Sequence, residues 1–146
     1  MNYALIYVSK VVRPLSAEEL EALSNESNLN NERLGLTGLL LYSGKNFMQI
    51  LEGDYETLTE LFAKITTDSR HHSIEVLMGA PASERLFPEW SMGVIDVRTS
   101  AQLDVEILND ICERAEQKYQ NVKDAALETL KLFTFKEISD EDTQAA

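Results

Sequence analysis

The chain has little of several features that whole classes of protein require. It contains one cysteine, Cys112, among 146 residues, so an intramolecular disulfide and a cysteine-based metal cluster are both excluded. Basic residues are scarce, because 13 Lys and Arg stand against 25 Asp and Glu and give a formal net charge of −12. So acidic a chain repels polyphosphate, which argues against direct binding of nucleic acid or of an anionic membrane.

Long apolar runs and several catalytic signatures are also missing. No stretch approaches the roughly 20 apolar residues that cross a bilayer. The N-terminal segment MNYALIYVSK lacks the features of a signal peptide, so we expect a cytoplasmic protein. The sequence holds no G-x-S-x-G, H-E-x-x-H, G-x-G-x-x-G or phosphate-loop pattern, and we predict that it is not an enzyme.

The residues that are present predict one small domain with an appendage. Hydrophobic residues make up 44% of the chain, which is enough for a core. Short apolar runs predict five strands, at residues 4–8, 36–42, 47–51, 74–78 and 92–97. A capping box of Ser16 and Glu19 begins a first helix, and Asp54 caps a second that ends near Arg70. This β-α-β-β-α-β-β order predicts a ferredoxin-like α+β fold, one sheet with two helices on one face.

The character of the sequence changes after Thr99. Residues 99–146 carry 11 acidic and 5 basic side chains, and their apolar positions predict two C-terminal helices followed by a frayed acidic tail. We therefore divide the chain into a domain at 1–98 and a helical extension at 99–146. The extension could pack on the sheet, form a homo-oligomer or dock an effector.

Two polar side chains stand within predicted core strands. Gln49 lies in FMQIL and Tyr7 in LIYV. Burying an unpaired amide costs about 1–3 kcal/mol, so a buried Gln49 needs a partner. A backbone carbonyl partner, or an edge-strand position facing water, would give Gln49 a purely structural role, and the local pattern does not choose between that and a functional role. Tyr7 is ordinary for a strand. The pair Asn30 and Asn31 is typical of a helix end or turn, because asparagine tolerates left-handed geometry.

Two further pairs carry ordinary interpretations. His71 and His72 are adjacent, so their rings diverge and lack the four-residue spacing of a helical metal pair. We therefore predict no metal site. Trp90 and Met92, in PEWSMG, are most simply apolar cover for an edge of the sheet.

Taken together, four segments resemble a known family. They are LIYVSK with Tyr7, Asn30-Asn31 followed by GLTGLLLYSGKNFMQILEG at 35–53, DSRHHS at 68–73 and RLFPEWSMG at 85–93. This set is similar to the BLUF family of blue-light sensors that use FAD. The resemblance extends from residue 2 to about residue 98.

The resemblance implies a cofactor and a photochemical pair. Members of the family hold the flavin ring of FAD between the two helices that cover the sheet. Tyr7 matches the tyrosine that gives an electron and a proton, and Gln49 matches the glutamine between that tyrosine and the ring. Asn31 matches the asparagine that bonds the ring's carbonyl edge. In this family the glutamine amide rotates or tautomerises, which changes its hydrogen bonds.

Further roles follow from the same resemblance. The positions implied to line the cofactor are Asn30, Ile65, Asp68, Arg70 and His71, with Lys64 near the ribityl-phosphate part. Trp90 and Met92 match two residues that exchange places beside the glutamine in different members. The signal is expected to leave through the fifth strand and the C-terminal helices to a protein partner, in a homo-oligomer.

Two alternative functions remain open from the residues alone. A light-insensitive binding or scaffold domain could keep the same fold. A small ferredoxin-like acyl-phosphate hydrolase would need a cationic phosphate loop, and the segment SKVVRP after the first strand does not convincingly supply one. A flavin spectrum that shifts under blue light separates the sensor from both.

Overall fold

The computed structural model describes residues 2–98 and, beyond them, only residue 113. The strands are β1 (Asn2–Val11), β2 (Thr37–Tyr42), β3 (Asn46–Asp54), β4 (His71–Pro81) and β5 (Gly93–Asp96). The helices are α1 (Ala17–Leu34) and α2 (Tyr55–Ile65). This order confirms the predicted β-α-β-β-α-β-β arrangement. The two helices predicted in 99–146 lie outside the described residues.

The strands form one mixed sheet in the order β4-β1-β3-β2-β5. β1 is antiparallel to both of its neighbours, β3 and β4, while β5 runs parallel to β2 at the other edge. In the β1–β3 register Tyr7 stands opposite Gln49, and in the β2–β3 register Leu40 stands opposite Gln49. Paired residues point to the same face of a sheet, so these three side chains lie side by side.

Both helices cover the same face, as predicted. Tyr7 and Leu40 pack there in one apolar cluster, with Leu23 of α1 and Leu61 of α2 against it. Alternate residues of the same strands fill a second cluster on the opposite face, where Leu86 and Phe87 of the β4–β5 connection pack against Ile6, Ile50 and their neighbours. Both faces of the central strands are therefore buried, which accounts for their nearly continuous apolar sequences.

Helix α1 begins where the sequence predicts and ends later. The Ser16 hydroxyl accepts from the Glu19 amide at 3.1 Å, and the Glu19 carboxylate accepts from the Ser16 amide at 3.2 Å, which confirms the capping box. The prediction of a helix end at Asn30 and Asn31 is wrong. The helix continues to Leu34 because Gly35 supplies the left-handed residue, with φ of 70°, that closes its last turn.

The second helix and the fourth strand also have different bounds. α2 ends at Ile65 rather than near Arg70, and a turn follows it. β4 starts at His71, three residues before the predicted apolar run, because β1 continues to Val11 and pairs with His71. Backbone pairing thus extends the strand into a polar sequence. Within residues 2–98 neither helix is long and apolar enough to cross a membrane.

Candidate functional site

A cavity of about 230 Å³ opens between α1 and α2 above the centre of the sheet. Nine of the residues predicted from the sequence line it, namely Tyr7, Asn30, Asn31, Gln49, Lys64, Ile65, Asp68, Arg70 and His71. They come from β1, α1, β3, α2, the turn after α2 and the first residue of β4. The two predicted relay residues, Trp90 and Met92, do not line this cavity. The fold therefore gathers all the predicted cofactor-binding positions in one place.

Tyr7 and Gln49 form a hydrogen-bonded pair at the base of the cavity. The Tyr7 hydroxyl donates to Oε1 of Gln49, and the two side chains are 3% and 6% exposed. Tyr7 lies on β1 and Gln49 on the neighbouring strand β3, so the backbone hydrogen bonds between these strands hold them in register. Of the alternatives for Gln49, both the backbone carbonyl partner and the exposed edge position are wrong, since its partner is the phenol and β3 is an interior strand.

The surroundings of Tyr7 keep its phenol protonated. Phe62 packs against its ring, with centroids 5.4 Å apart. Burial raises the pKa of Tyr7 well above its ordinary value, and the negative charge of Asp68 raises it further. A neutral phenol can give away both an electron and a proton, and the site maintains that form of Tyr7.

Met92 continues the polar chain on the far side of Gln49. The Nε2 of Gln49 donates to the Met92 sulfur at 3.5 Å, and Met92 is 3% exposed. Trp90 points away and is 45% exposed, with its ring stacked on Phe87 at a centroid distance of 5.6 Å. In this structure Met92 is the residue packed beside the glutamine, a question that the sequence left open.

Asn31 carries a buried amide with unused hydrogen-bonding capacity. Its Nδ2 donates to the Ser91 carbonyl at 2.8 Å, and the residue is 3% exposed. No donor within residues 2–98 reaches its Oδ1. Asn30 is exposed at the rim of the same cavity. Buried carboxamides are almost always paired, so the Asn31 oxygen is suited to accept a hydrogen bond from a ligand in this cavity.

Charged residues surround the mouth of the cavity with both signs. The Arg70 guanidinium binds the Asp68 carboxylate in a fork that includes a 2.9 Å bond from Nε, and it approaches Glu26 of α1 at 4.0 Å. The hydrogen bonds from Arg70 hold the pKa of Asp68 below its ordinary value. Lys64 lies on the same wall and forms no ion pair with the residues that the structure describes. The cations at the mouth are thus largely balanced by acids.

His71 ties the end of α2 to β1. Its Nε2 lies 2.7 Å from the Ile65 carbonyl oxygen, which can only accept, so Nε2 carries a proton. Its Nδ1 lies 2.7 Å from the Ser9 hydroxyl. His72 turns away and contacts Ser73 instead. In the part of the chain that the structure describes, no three His, Cys, Asp or Glu side chains form a metal-binding group.

Sequence reasoning missed several contributors to the site. The apolar wall is formed by Leu23, Leu40, Phe47 and Leu61. These residues carry no signal that distinguishes a ligand wall from ordinary core. Glu26, which contacts Arg70 across the mouth, sits in a helix with many other acids and was equally hidden.

The lining fits the flavin of FAD. Apolar side chains from α1, α2 and the sheet can contact both faces of a ring system, while the free Oδ1 of Asn31 and the amide of Gln49 can pair with a polar ring edge. The cavity is smaller than the roughly 300–1,000 Å³ of typical ligand pockets, so it can enclose the ring and leave the phosphates at the mouth. Lys64 and Arg70 are the basic residues there.

This fold and this lining define an α+β domain suited to bind a flavin. A family model described as "BLUF: Sensors of blue-light using FAD" matches residues 3–93. The chain therefore belongs to the BLUF family, and its cofactor is FAD. The family is defined by sensing, in agreement with the prediction that this domain is not an enzyme.

Individual relatives agree with this assignment. The chain is 40% identical over 90 residues to photoactivated adenylate cyclase subunit alpha of Euglena gracilis, covering 60% of this chain and 9% of that protein. It is 35% identical to BlrB, a BLUF protein solved in its dark state, with a TM-score of 0.64 and coverage of 74% of this chain and 83% of that one. Klebsiella pneumoniae BlrP1 with FMN and cyclic diGMP gives 33% identity and a TM-score of 0.73, over 97% of this chain and 35% of that one. The chain thus spans about a tenth of the cyclase.

Proposed function

We propose that blue light absorbed by FAD in the α1–α2 cavity changes the hydrogen bonds of the chain Tyr7–Gln49–Met92. The observation that carries the proposal is the bond from the Tyr7 hydroxyl to Gln49 Oε1, at the base of a cavity that fits a flavin. When bound and excited, FAD supplies a strong one-electron oxidant. The protein's own part in the reaction belongs to the three hydrogen-bonded residues Tyr7, Gln49 and Met92.

Tyr7 is the donor in this scheme. Its phenol can release an electron, and its proton can move along the existing bond toward Gln49 Oε1. The Gln49 amide has a donor end and an acceptor end, so rotation or tautomerisation exchanges what it offers to Tyr7, to Met92 and to the cofactor. Met92 accepts from Gln49 only while Nε2 faces its sulfur. A change at Gln49 therefore reaches the connection that leads into β5.

The output of the sensor is part of the same proposal. We propose that β5 and residues 99–146 pass the change to a protein partner, and that the chain forms a homo-oligomer in the cytoplasm. The net charge of −12 favours a partner with a basic surface over nucleic acid. Sizing chromatography of dark and illuminated protein tests the assembly, and cell fractionation tests the location.

The photochemical proposal predicts the behaviour of Tyr7→Phe. The wild-type protein with FAD should show a flavin spectrum that shifts to the red under blue light and recovers in darkness. Tyr7→Phe removes only the hydroxyl from a ring packed by Phe62, so it should still bind FAD but lose the reversible shift. Absorption spectra before and after illumination measure both properties.

The matched control is Tyr55→Phe. Tyr55 is half exposed, at 47%, and packs edge-on against Tyr3 away from the cavity. It should keep the full shift and recovery. A reversible red shift of wild-type size in Tyr7→Phe contradicts the role given to Tyr7. A wild-type holoprotein with no light-induced shift favours the alternative of a light-insensitive domain.

A further inference from the structure

Asn28 of α1 makes contacts that no role described above uses. It does not line the flavin cavity, yet its side chain pairs with both backbone polar groups of Met92. The Met92 amide donates to Asn28 Oδ1 at 3.0 Å, and Asn28 Nδ2 donates to the Met92 carbonyl at 3.0 Å. The same Nδ2 also contacts the Ser24 carbonyl at 2.9 Å. The side-chain amide of Asn28 therefore forms the two backbone hydrogen bonds that a neighbouring strand would otherwise form with Met92.

The contact between Asn28 and Met92 lies where it can affect the hydrogen bonds of Gln49. Met92 stands one residue before β5 begins at Gly93, and its sulfur accepts from Gln49. The preceding residue, Ser91, is held from α1 by Asn31, which lines the cavity. Because Asn28 holds the main chain of Met92, it limits where the Met92 sulfur can lie relative to Gln49.

An apolar residue at position 28 could not replace this function. A leucine there would pack against the sheet edge, but it would leave the Met92 amide and carbonyl without these partners. This requirement explains the polar sequence of α1 in this turn, where an ordinary core helix would present an apolar stripe.

From this geometry we infer that Asn28 is a positioning residue. It holds Met92 against Gln49 and slows the thermal return of the illuminated protein to its dark state. The inference rests on the proposed function, since it assumes that the light signal moves Met92. If Met92 must shift in either direction, its bonds to Asn28 have to break on the way. Removing those bonds lowers the barrier and speeds the thermal recovery.

The test compares Asn28→Ala with Asn25→Ala as holoproteins with FAD. Asn25 is exposed on the same helix, and both changes raise helix propensity, so both variants should fold. We expect Asn28→Ala to keep FAD and recover about fivefold faster, the factor that one ordinary net hydrogen bond contributes to a rate. Asn25→Ala should recover at the wild-type rate.

Two further measurements separate positioning from a loss of stability alone. Trp90 is the single tryptophan of the chain, so quenching of its fluorescence by acrylamide reports on the connection before β5. Quenching should change in Asn28→Ala and not in Asn25→Ala. Met92→Ala removes the sulfur but keeps the backbone groups that Asn28 binds. In that background Asn28→Ala should speed recovery less than it does with Met92 present, because the part of its effect that acts through the sulfur is gone.

The outcomes are distinct from those that test the photochemistry. A wild-type protein without any light-induced shift overturns the proposed function itself. A normal wild-type shift together with an unchanged or slower recovery in Asn28→Ala overturns only the role of Asn28. The same conclusion follows if Asn28→Ala speeds recovery equally in the Met92→Ala background.

Discussion

At the scale of single residues, the phenol of Tyr7 lies in an environment largely closed to water, since the residue is 3% exposed. It is enclosed by the sheet, by α2 and by the Gln49 amide, whose oxygen accepts a hydrogen bond from the phenol. Burial and the nearby charge of Asp68 both act against the phenolate, which is why the pKa of Tyr7 is raised. The same shift links the photochemical site to the stability of the fold.

This linkage predicts an alkaline dependence of stability. Above pH 10, the ordinary pKa of tyrosine, the unfolded chain loses the Tyr7 proton while the folded chain keeps it. Folding is then progressively disfavoured, by about 1.4 kcal/mol per pH unit from this one group. Urea unfolding of the wild type and of Tyr7→Phe between pH 9 and about 11 measures the difference.

The contribution of Tyr7 should vanish in Tyr7→Phe, whose stability should therefore fall less steeply with pH. Identical slopes for the two proteins would show that Tyr7 ionises at its ordinary pH in the folded state. The light-induced shift of the wild type should persist past pH 10, because the neutral phenol is still present there.

The sequence did not predict which of two neighbouring residues is buried where tertiary contacts decide this. Trp90 and Met92 are both apolar and lie in an irregular segment, so no periodicity assigns either one to the core. The structure buries Met92 because α1 binds its backbone, while Trp90 finds a stacking partner in Phe87 near the surface. The role of Asn28 was not predicted, because one asparagine among several polar residues of a helix carries no signal that identifies its partner.

At the scale of elements, the order of strands and helices followed from local sequence. The capping box of Ser16 with Glu19 and the apolar runs each have a local physical reason, and the structure confirms the elements that they predict. The strand order β4-β1-β3-β2-β5 is non-local and was not predicted beyond the fold class. The true end of α1 was missed because the adjacent asparagines obscured the stronger signal of Gly35.

The connection from Leu86 to Met92 is tethered by a buried carboxylate at its start. Glu52 of β3 is 1% exposed and accepts from the Leu86 amide at 2.6 Å and from the Phe87 amide at 2.9 Å. The Thr37 hydroxyl donates to the same carboxylate at 3.2 Å. Glu52 therefore anchors the start of the connection, as Asn28 and Asn31 anchor its end.

Replacing this carboxylate should loosen the whole connection. In Glu52→Gln an NH2 group replaces one of the two acceptor oxygens, and its hydrogens then face backbone N–H donors. We expect a loss of about 1.5–3 kcal/mol in the free energy of unfolding, the range for hydrogen bonds to a charged group. Urea unfolding measures it, with Glu75→Gln on the exposed edge strand β4 as the control. A Glu52→Gln protein as stable as that control would contradict the anchoring role.

At the scale of the whole molecule, the net charge of −12 repels the phosphates of the anionic cofactor FAD. Lys64 and Arg70 are the basic residues at the mouth, where the phosphates of FAD must lie if the cavity encloses only the ring. Arg70 is already bound by Asp68 and approached by Glu26. The mouth therefore offers little net positive charge to offset the repulsion from the rest of the chain.

This balance predicts an unusual salt dependence. Raising the salt from about 0.01 M to about 0.15 M shortens the Debye length from roughly 30 Å to roughly 8 Å, which screens the distant acids more than the nearby cations. FAD should then bind more tightly relative to riboflavin, which carries no phosphate and serves as the control. Fluorescence titration of the flavin-free protein with both compounds measures the ratio. A ratio that moves against FAD would mean that Lys64 and Arg70 outweigh the field of the acidic chain, and that the ion pairs of Arg70 open when the phosphates arrive.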